Sequence, residues 1–107
     1  MAFGVEFTKP AAEELAALRK TDQVAIIERC KTHLTNEPSL QSKSRIKKLR
    51  DDSFPPYRLR VGEFRVFYDV DEAANKVIIY GVLRKADAQD WLDQSTARRH
   101  DDENSQA

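Results

Sequence analysis

"YRLRVGEFRVFYDV", residues 57–70, alternates apolar and cationic side chains up to a glycine and then resumes an apolar run. Gly62-Glu63 between two period-2 runs is the pattern of a two-residue hairpin turn with glycine first. Such a turn fixes the register: Val61 faces Phe64, Leu59 faces Val66 and Tyr57 faces Tyr68, all on one apolar side. Alternation sends Arg58, Arg60 and Arg65 to the other side, with Arg60 opposite Arg65 and Arg58 opposite Phe67. Like charges directly across a ladder destabilise it, and a solvated sheet face ordinarily mixes signs. The stretch therefore reads as a hairpin whose outward face is shaped for an anion.

Downstream of the hairpin, "DVDEAANK" supplies a looser turn. "KVIIYGVL" is then apolar on both parities, as expected of a central strand covered on both sides. Arg84 and Lys85 come as that strand ends, and "ADAQDWLDQ" reads as a closing helix packed through Trp91 and Leu92. From Ser95 the sequence "STARRHDDENSQA" is polar and aperiodic, so a frayed or disordered tail is expected.

Upstream, "FGVEF" alternates Phe3, Val5 and Phe7 in the manner of a half-buried strand. Thr8 is placed to cap a helix, and Pro10 is tolerated in a first turn because its missing N–H would have had no partner there. This helix is expected to reach about Arg19, with Ala11, Leu15 and Leu18 inward and Glu13, Glu14 and Lys20 in water. After a break at "KTD", Thr21 or Asp22 caps a second helix to about Asn36, with Val24, Ile27, Cys30 and Leu34 as its inner stripe and Pro38 beyond its end. Two helices joined so briefly run antiparallel. "PSLQSKSRIKKLRDDSFPP" is read as a long connection.

The 107 residues, 40% of them hydrophobic, suit one domain with one modest core. We assign it to residues 1–94, with 95–107 as the tail. No apolar run approaches the ~18 residues needed to cross a bilayer, and "MAFGVEF" lacks the features of a leader, so a cytoplasmic protein without membrane contact is expected. Cys30 is the sole cysteine and reads as a small buried apolar side chain. His33 reads as a packing residue of the second helix and His100 belongs to the tail. No metal site is expected, nor, without a glycine-rich phosphate loop, any cofactor.

Lys plus Arg and Asp plus Glu number 18 each, so net charge decides nothing. Its distribution does. Residues 43–65 hold eight basic side chains, Lys43 among them, against three acidic ones, giving +5 there and −5 elsewhere. A local field of this kind attracts anions even when the total charge vanishes. Four arginines (Arg58, Arg60, Arg65 and Arg84) make a good phosphate site and a poor general base, because guanidinium offers five donors and stays charged. Such a cluster can hold a phosphodiester and stabilise the added charge of a five-coordinate transition state. In RNA the 2′-hydroxyl attacks its own phosphate, so positioning and charge carry much of the acceleration.

Three stretches, "FTKPAAEELAAL", "IKKLRDDSFPPYRLRVGEFRVFYDVD" and "VIIYGVLRKADAQDWL", make residues 3–92 resemble the RelE/ParE superfamily of bacterial type II toxin–antitoxin toxins, more on the RelE side. The resemblance implies an α/β (α+β) fold: an N-terminal strand, an antiparallel helical hairpin packed on a small, mostly antiparallel twisted sheet, and a short C-terminal helix. It implies a toxin that enters the ribosomal A site and cuts mRNA there, an endoribonuclease that inhibits translation. Carried over by motif, Arg58 and Arg60 contact the scissile phosphate, Arg65 stabilises the transition state, and Arg84 lies near the leaving group. Lys47, Lys48, Arg50 and Lys85 are the accompanying RNA-binding residues. The implied partners are a cognate antitoxin, the ribosome and mRNA, with operator DNA reached only through the antitoxin complex. Many relatives carry a histidine just before the strand-end arginine and a tyrosine a few residues later. Here Leu83 takes the first position, and the second falls near Trp91. Those departures keep two alternatives open: a ParE-type DNA gyrase inhibitor, and a non-toxic member that acts with its antitoxin on operator DNA.

Overall fold

The hairpin adopts the register that its turn dictates, with Tyr57↔Tyr68, Arg58↔Phe67, Leu59↔Val66, Arg60↔Arg65 and Val61↔Phe64. Gly62 turns the chain at φ 56°, a left-handed conformation that costs glycine little. A computed structural model describes residues 2–42 and 45–105; Met1, Lys43, Ser44, Gln106 and Ala107, which include part of the basic stretch and of the expected tail, lie outside the described residues. In chain order the elements are β1 (Gly4–Phe7), α1 (Lys9–Ala16), α2 (Lys20–Leu34), β2 (Ile46–Lys48), β3 (Tyr57–Val61), β4 (Phe64–Asp71), β5 (Lys76–Arg84) and α3 (Lys85–Ser105). The α+β fold is as the resemblance implied.

The strands form one sheet in the order β1-β5-β4-β3-β2, with β1 parallel to β5 and every other pair antiparallel. One face carries the main core: Leu59, Val61, Phe64, Val66, Tyr68, Val77, Ile79 and Val82 meet Ala11, Ile26, Cys30 and Leu34 of the helical hairpin. The other face carries a smaller cluster in which Phe67 and Leu83 meet Ala88, Trp91 and Leu92 of α3. This two-sided cover explains why β5 is apolar on both parities.

Several expectations are corrected. The inner stripe of α2 is Ile26, Cys30 and Leu34 at a spacing of four, whereas Val24 is 44% exposed. The helix begins at Lys20 with Arg19 at the N-cap position and no side-chain cap, so neither Thr21 nor Asp22 caps it. Asp22 instead pairs with Arg19 at 3.5 Å, and the Gln23 side chain donates to Leu18 O at 2.8 Å, closing the turn. Residues 46–48, read as part of a connection, form the edge strand β2 on β3. The expected disordered tail is helical as far as Ser105. It is held by contacts that leave no apolar period: Phe54 N donates to Thr96 Oγ1 at 3.1 Å, the Arg99 guanidinium lies 4.4 Å over the Phe54 ring, and His100 Nε2 lies 3.1 Å from Asp52 O.

Glu14, expected in water, is half-buried, and its Oε1 accepts a hydrogen bond from Val82 N at 2.9 Å. The reason is topological. β1 ends at Phe7, opposite Ile79, so the Val82 amide lies beyond the reach of that edge strand. Burial raises the Glu14 pKa, and the bond from Val82 partly opposes the rise. A carboxyl whose pKa is higher in the folded state binds extra protons there, so its contribution to stability grows as pH falls from neutrality through that raised pKa. Glu14→Gln, which keeps an acceptor for Val82, is expected to remove this component, while Glu14→Ala should cost about 1–3 kcal/mol by orphaning the amide. Urea unfolding at pH 5 and pH 7 reads both effects.

Candidate functional site

Two cationic pairs face each other across β3. Lys47 is the partner of Arg58 and Arg60 is the partner of Arg65. Each pair repels across the ladder. Among the described residues none of these four side chains forms an ion pair, unlike Arg19 with Asp22, Arg50 with Asp52, Lys76 with Glu6 and Arg99 with Glu103.

Arg58 is half-buried, and its Nε is enclosed without a hydrogen-bond partner. Burial lowers its pKa and Arg60 adds to the effect, with no carboxylate opposing. Arg60 is exposed. Arg65 is only 7% exposed, and its Nη1 donates to both Gly62 O and Phe64 O at 2.9 Å. Burial, then Arg58 and Arg60, lower its pKa, with Glu63 pulling the other way. All three guanidinium groups remain charged at ordinary pH, so the face stores unanswered positive charge. Arg65 braces the turn as well as contributing charge, a double role that hairpin alternation alone does not reveal.

Arg84 does not join them. Regular alternation from Val77 and Ile79 sends Arg84 to the cationic side. A bulge opposite Phe67 and Tyr68, however, inserts an extra residue into β5, so that Val82 and Arg84 fall on the helical-hairpin side. There Arg84 lies 5.1 Å over the Phe64 ring. Lys48 is likewise on the other face, because its partner is Tyr57, which packs on the main core. Arg50 is exposed and loosely paired with Asp52 at 4.0 Å, and Lys85 is exposed at the start of α3. Of the eight expected site residues, the sheet therefore brings Lys47, Arg58, Arg60 and Arg65 onto one face.

α3 walls that face on one side. The Trp91 ring stacks on Phe67 at 5.0 Å and 22°, and Leu83 packs into the same cluster. The side chains of Gln89 and Asp93 line the cleft between α3 and β3, a role without any signal in the sequence beyond their spacing of four on a helix. Cys30, 2% exposed, has its thiol pushed up to about 12 by burial and is inert. Among the described residues no three His, Cys, Asp or Glu side chains gather as metal ligands, and no helix is long and apolar enough to cross a membrane.

The family described as the ParE toxin of type II toxin–antitoxin systems, parDE, matches residues 5–89. Among solved structures the chain is similar to one in the RelBE2 toxin–antitoxin complex from Mycobacterium tuberculosis, with 25% identity, 78% of this chain and 92% of that chain covered, and a TM-score of 0.65. It is similar to one in the archaeal RelE–RelB complex from Pyrococcus horikoshii OT3, with 26% identity, 78% and 96% covered, and a TM-score of 0.63. The isolated E. coli RelE toxin shares the fold at 18% identity, with 78% and 84% covered and a TM-score of 0.59. No curated protein matches the chain in sequence.

Proposed function

The chain belongs to the ParE toxin family of type II toxin–antitoxin systems, within the RelE/ParE superfamily, and on that premise we propose that it arrests translation by cutting mRNA on the ribosome. The observation that carries this reading is the pair of uncompensated cationic rungs, Lys47/Arg58 and Arg60/Arg65, on one sheet face. A phosphodiester bridging Arg60 and Arg65 relieves their repulsion. As the 2′-hydroxyl attacks, the same two groups meet the charge that develops on the five-coordinate phosphorus. Arg58 and Lys47 hold the adjoining backbone. Leu83 packs beneath α3, so the proton of the attacking hydroxyl leaves through a group other than a histidine at that position.

The cognate antitoxin silences the toxin by laying acidic residues across these rungs. Inducing the chain without an antitoxin and mapping mRNA 5′ ends tests the proposal: cleavage within translated codons is expected. A second reading, gyrase inhibition, is favoured by the match to the ParE family and by Leu83 in place of histidine. Growth arrest with intact transcripts and gyrase-linked chromosomal breaks would establish it instead. Because Arg84 stacks on Phe64 across the sheet from the rungs, Arg84→Ala is expected to slow cleavage less than tenfold, well below the loss on removing Arg60. Primer extension on a reporter mRNA measures the difference.

A further inference from the structure

α3 has a second flank, turned toward the start of α1 and away from the cationic rungs. Trp91, Ser95, Arg98 and Asp102 recur along it at spacings of four and three, so they share one side of the helix. With Phe54 and Tyr80 they line a cleft of about 450 Å3, a volume in the range of small-molecule sites. The Phe54 and Tyr80 rings meet edge to face with centroids 4.9 Å apart, and Trp91 has one indole face against Phe67, so three aromatic rings supply the apolar surface. The Arg99 guanidinium, 4.4 Å over the Phe54 ring, already lays a flat, delocalised group on that surface. Arg98 and Asp102 stand exposed at the rim, about one helical turn apart.

We propose that this cleft binds one free ribonucleotide, with its base against Phe54, Tyr80 and Trp91, its ribose hydroxyls at Asp102 and its 5′-phosphate at Arg98. Aromatic rings interleaved with arginines make a stacking platform for any nucleobase, and a purine offers the larger π-face. A carboxylate has about four acceptor positions, so Asp102 can take a ribose hydroxyl beside the contacts it already makes. Arg99 already answers Glu103 at 3.4 Å, so the phosphate is assigned to Arg98. A nucleotide thus meets the rings, the carboxylate and the cation each with a matching group. An acidic aromatic peptide would satisfy the rings and Arg98 but bring like charge to Asp102. The ligand is a free molecule because α3, seated on the sheet through Trp91 and Leu92, separates this cleft from Lys47 and Arg58. A strand lying on the rungs does not run into it.

Trp91 is the only tryptophan, so the intrinsic fluorescence of the full chain, excited beyond the adenine absorption band, reports on this cleft. AMP is expected to quench it saturably and to raise the thermal midpoint, as a ligand of the folded state must. Adenosine should bind roughly tenfold more weakly for want of the charge-assisted contact, and ribose 5-phosphate, without a base, at least about tenfold more weakly. Arg98→Ala should bring the AMP-to-adenosine ratio close to one, and Asp102→Ala should do the same for AMP against 2′-deoxy-AMP. Both side chains are exposed on a helix, so neither variant threatens the fold. Arg60→Ala should leave the AMP titration unchanged, because that residue lies on the other side of α3. Absence of saturable quenching, an equal response to ribose 5-phosphate, or an AMP-to-adenosine ratio that survives Arg98→Ala would each overturn the proposal. So would loss of binding in Arg60→Ala, which would move the nucleotide to the rungs, or equal quenching by the peptide Glu-Phe-Glu, which would make the cleft a protein contact. Tighter binding of the trinucleotide UpApU than of AMP would overturn it in favour of an RNA strand.

Discussion

Arg60→Ala is expected to abolish growth arrest and cut the cleavage rate by about 100-fold or more, the usual loss when one preorganised donor to a developing charge is removed. Stability should change by no more than about 0.5 kcal/mol, because Arg60 is exposed and both Arg58 and Arg65 repel its charge. Arg65 cannot give so clean a result. Arg65 is buried, and its two bonds to the turn carbonyls Gly62 O and Phe64 O tie its removal to the fold as well as to the charge of the face. Losing them should cost about 1.5–3 kcal/mol, the range for hydrogen bonds to charged groups. At about 4–8 °C per kcal/mol for a domain of this size, the thermal midpoint of Arg65→Ala should fall by roughly 10 °C. Paired melting curves and toxicity assays separate the two arginines. An Arg60→Ala protein that is folded and still fully toxic would remove the proposed role of the rung.

The second large effect falls on Gly81. A Cβ there would lie 2.5 Å from Trp91 Cζ2, 2.8 Å from Trp91 Cη2 and 2.9 Å from Leu83 Cδ2. The indole is itself stacked on Phe67, so it has little room to withdraw. Gly81→Ala is therefore expected to destabilise the protein by about 1–3 kcal/mol through overpacking and to loosen α3 from the sheet. Gly4→Ala, where an added Cβ meets nothing within 4 Å, is the control expected to stay near wild type. Hydrogen exchange should locate the loss: amides from Lys85 to Thr96 exchange faster in Gly81→Ala, while those of β3 and β4 keep their protection. Uniform loss across the sheet would mean that Gly81 matters for a reason other than α3.

The hairpin at residues 57–70 was fully legible in the sequence. Its turn residues and period-2 pattern are local, so register, the apolar side and the Arg60/Arg65 rung follow from neighbours in the chain alone. The brief break near residue 20 likewise predicts paired helices, and the motifs shared with the superfamily point to the α+β fold. What escaped depended on contacts between distant segments. A bulge in β5 moved Arg84 to the opposite face, because parity is reset by one unpaired residue that no periodicity announces. The face of Lys48 was not legible either, since residues 46–48 read as a connection and their strand partners come only from the folded sheet. The phase of α2 was set by how the helix seats on the sheet, which buries Ile26 and leaves Val24 exposed. α3 extends past its apolar residues because Thr96, Arg99 and His100 find partners in a loop some 40 residues earlier in the sequence. The sequence by itself thus determined a cationic hairpin and the fold that carries it. Only the tertiary structure decided which cations share a face and which helix walls them, since those facts arise from long-range packing and from one irregular strand pairing.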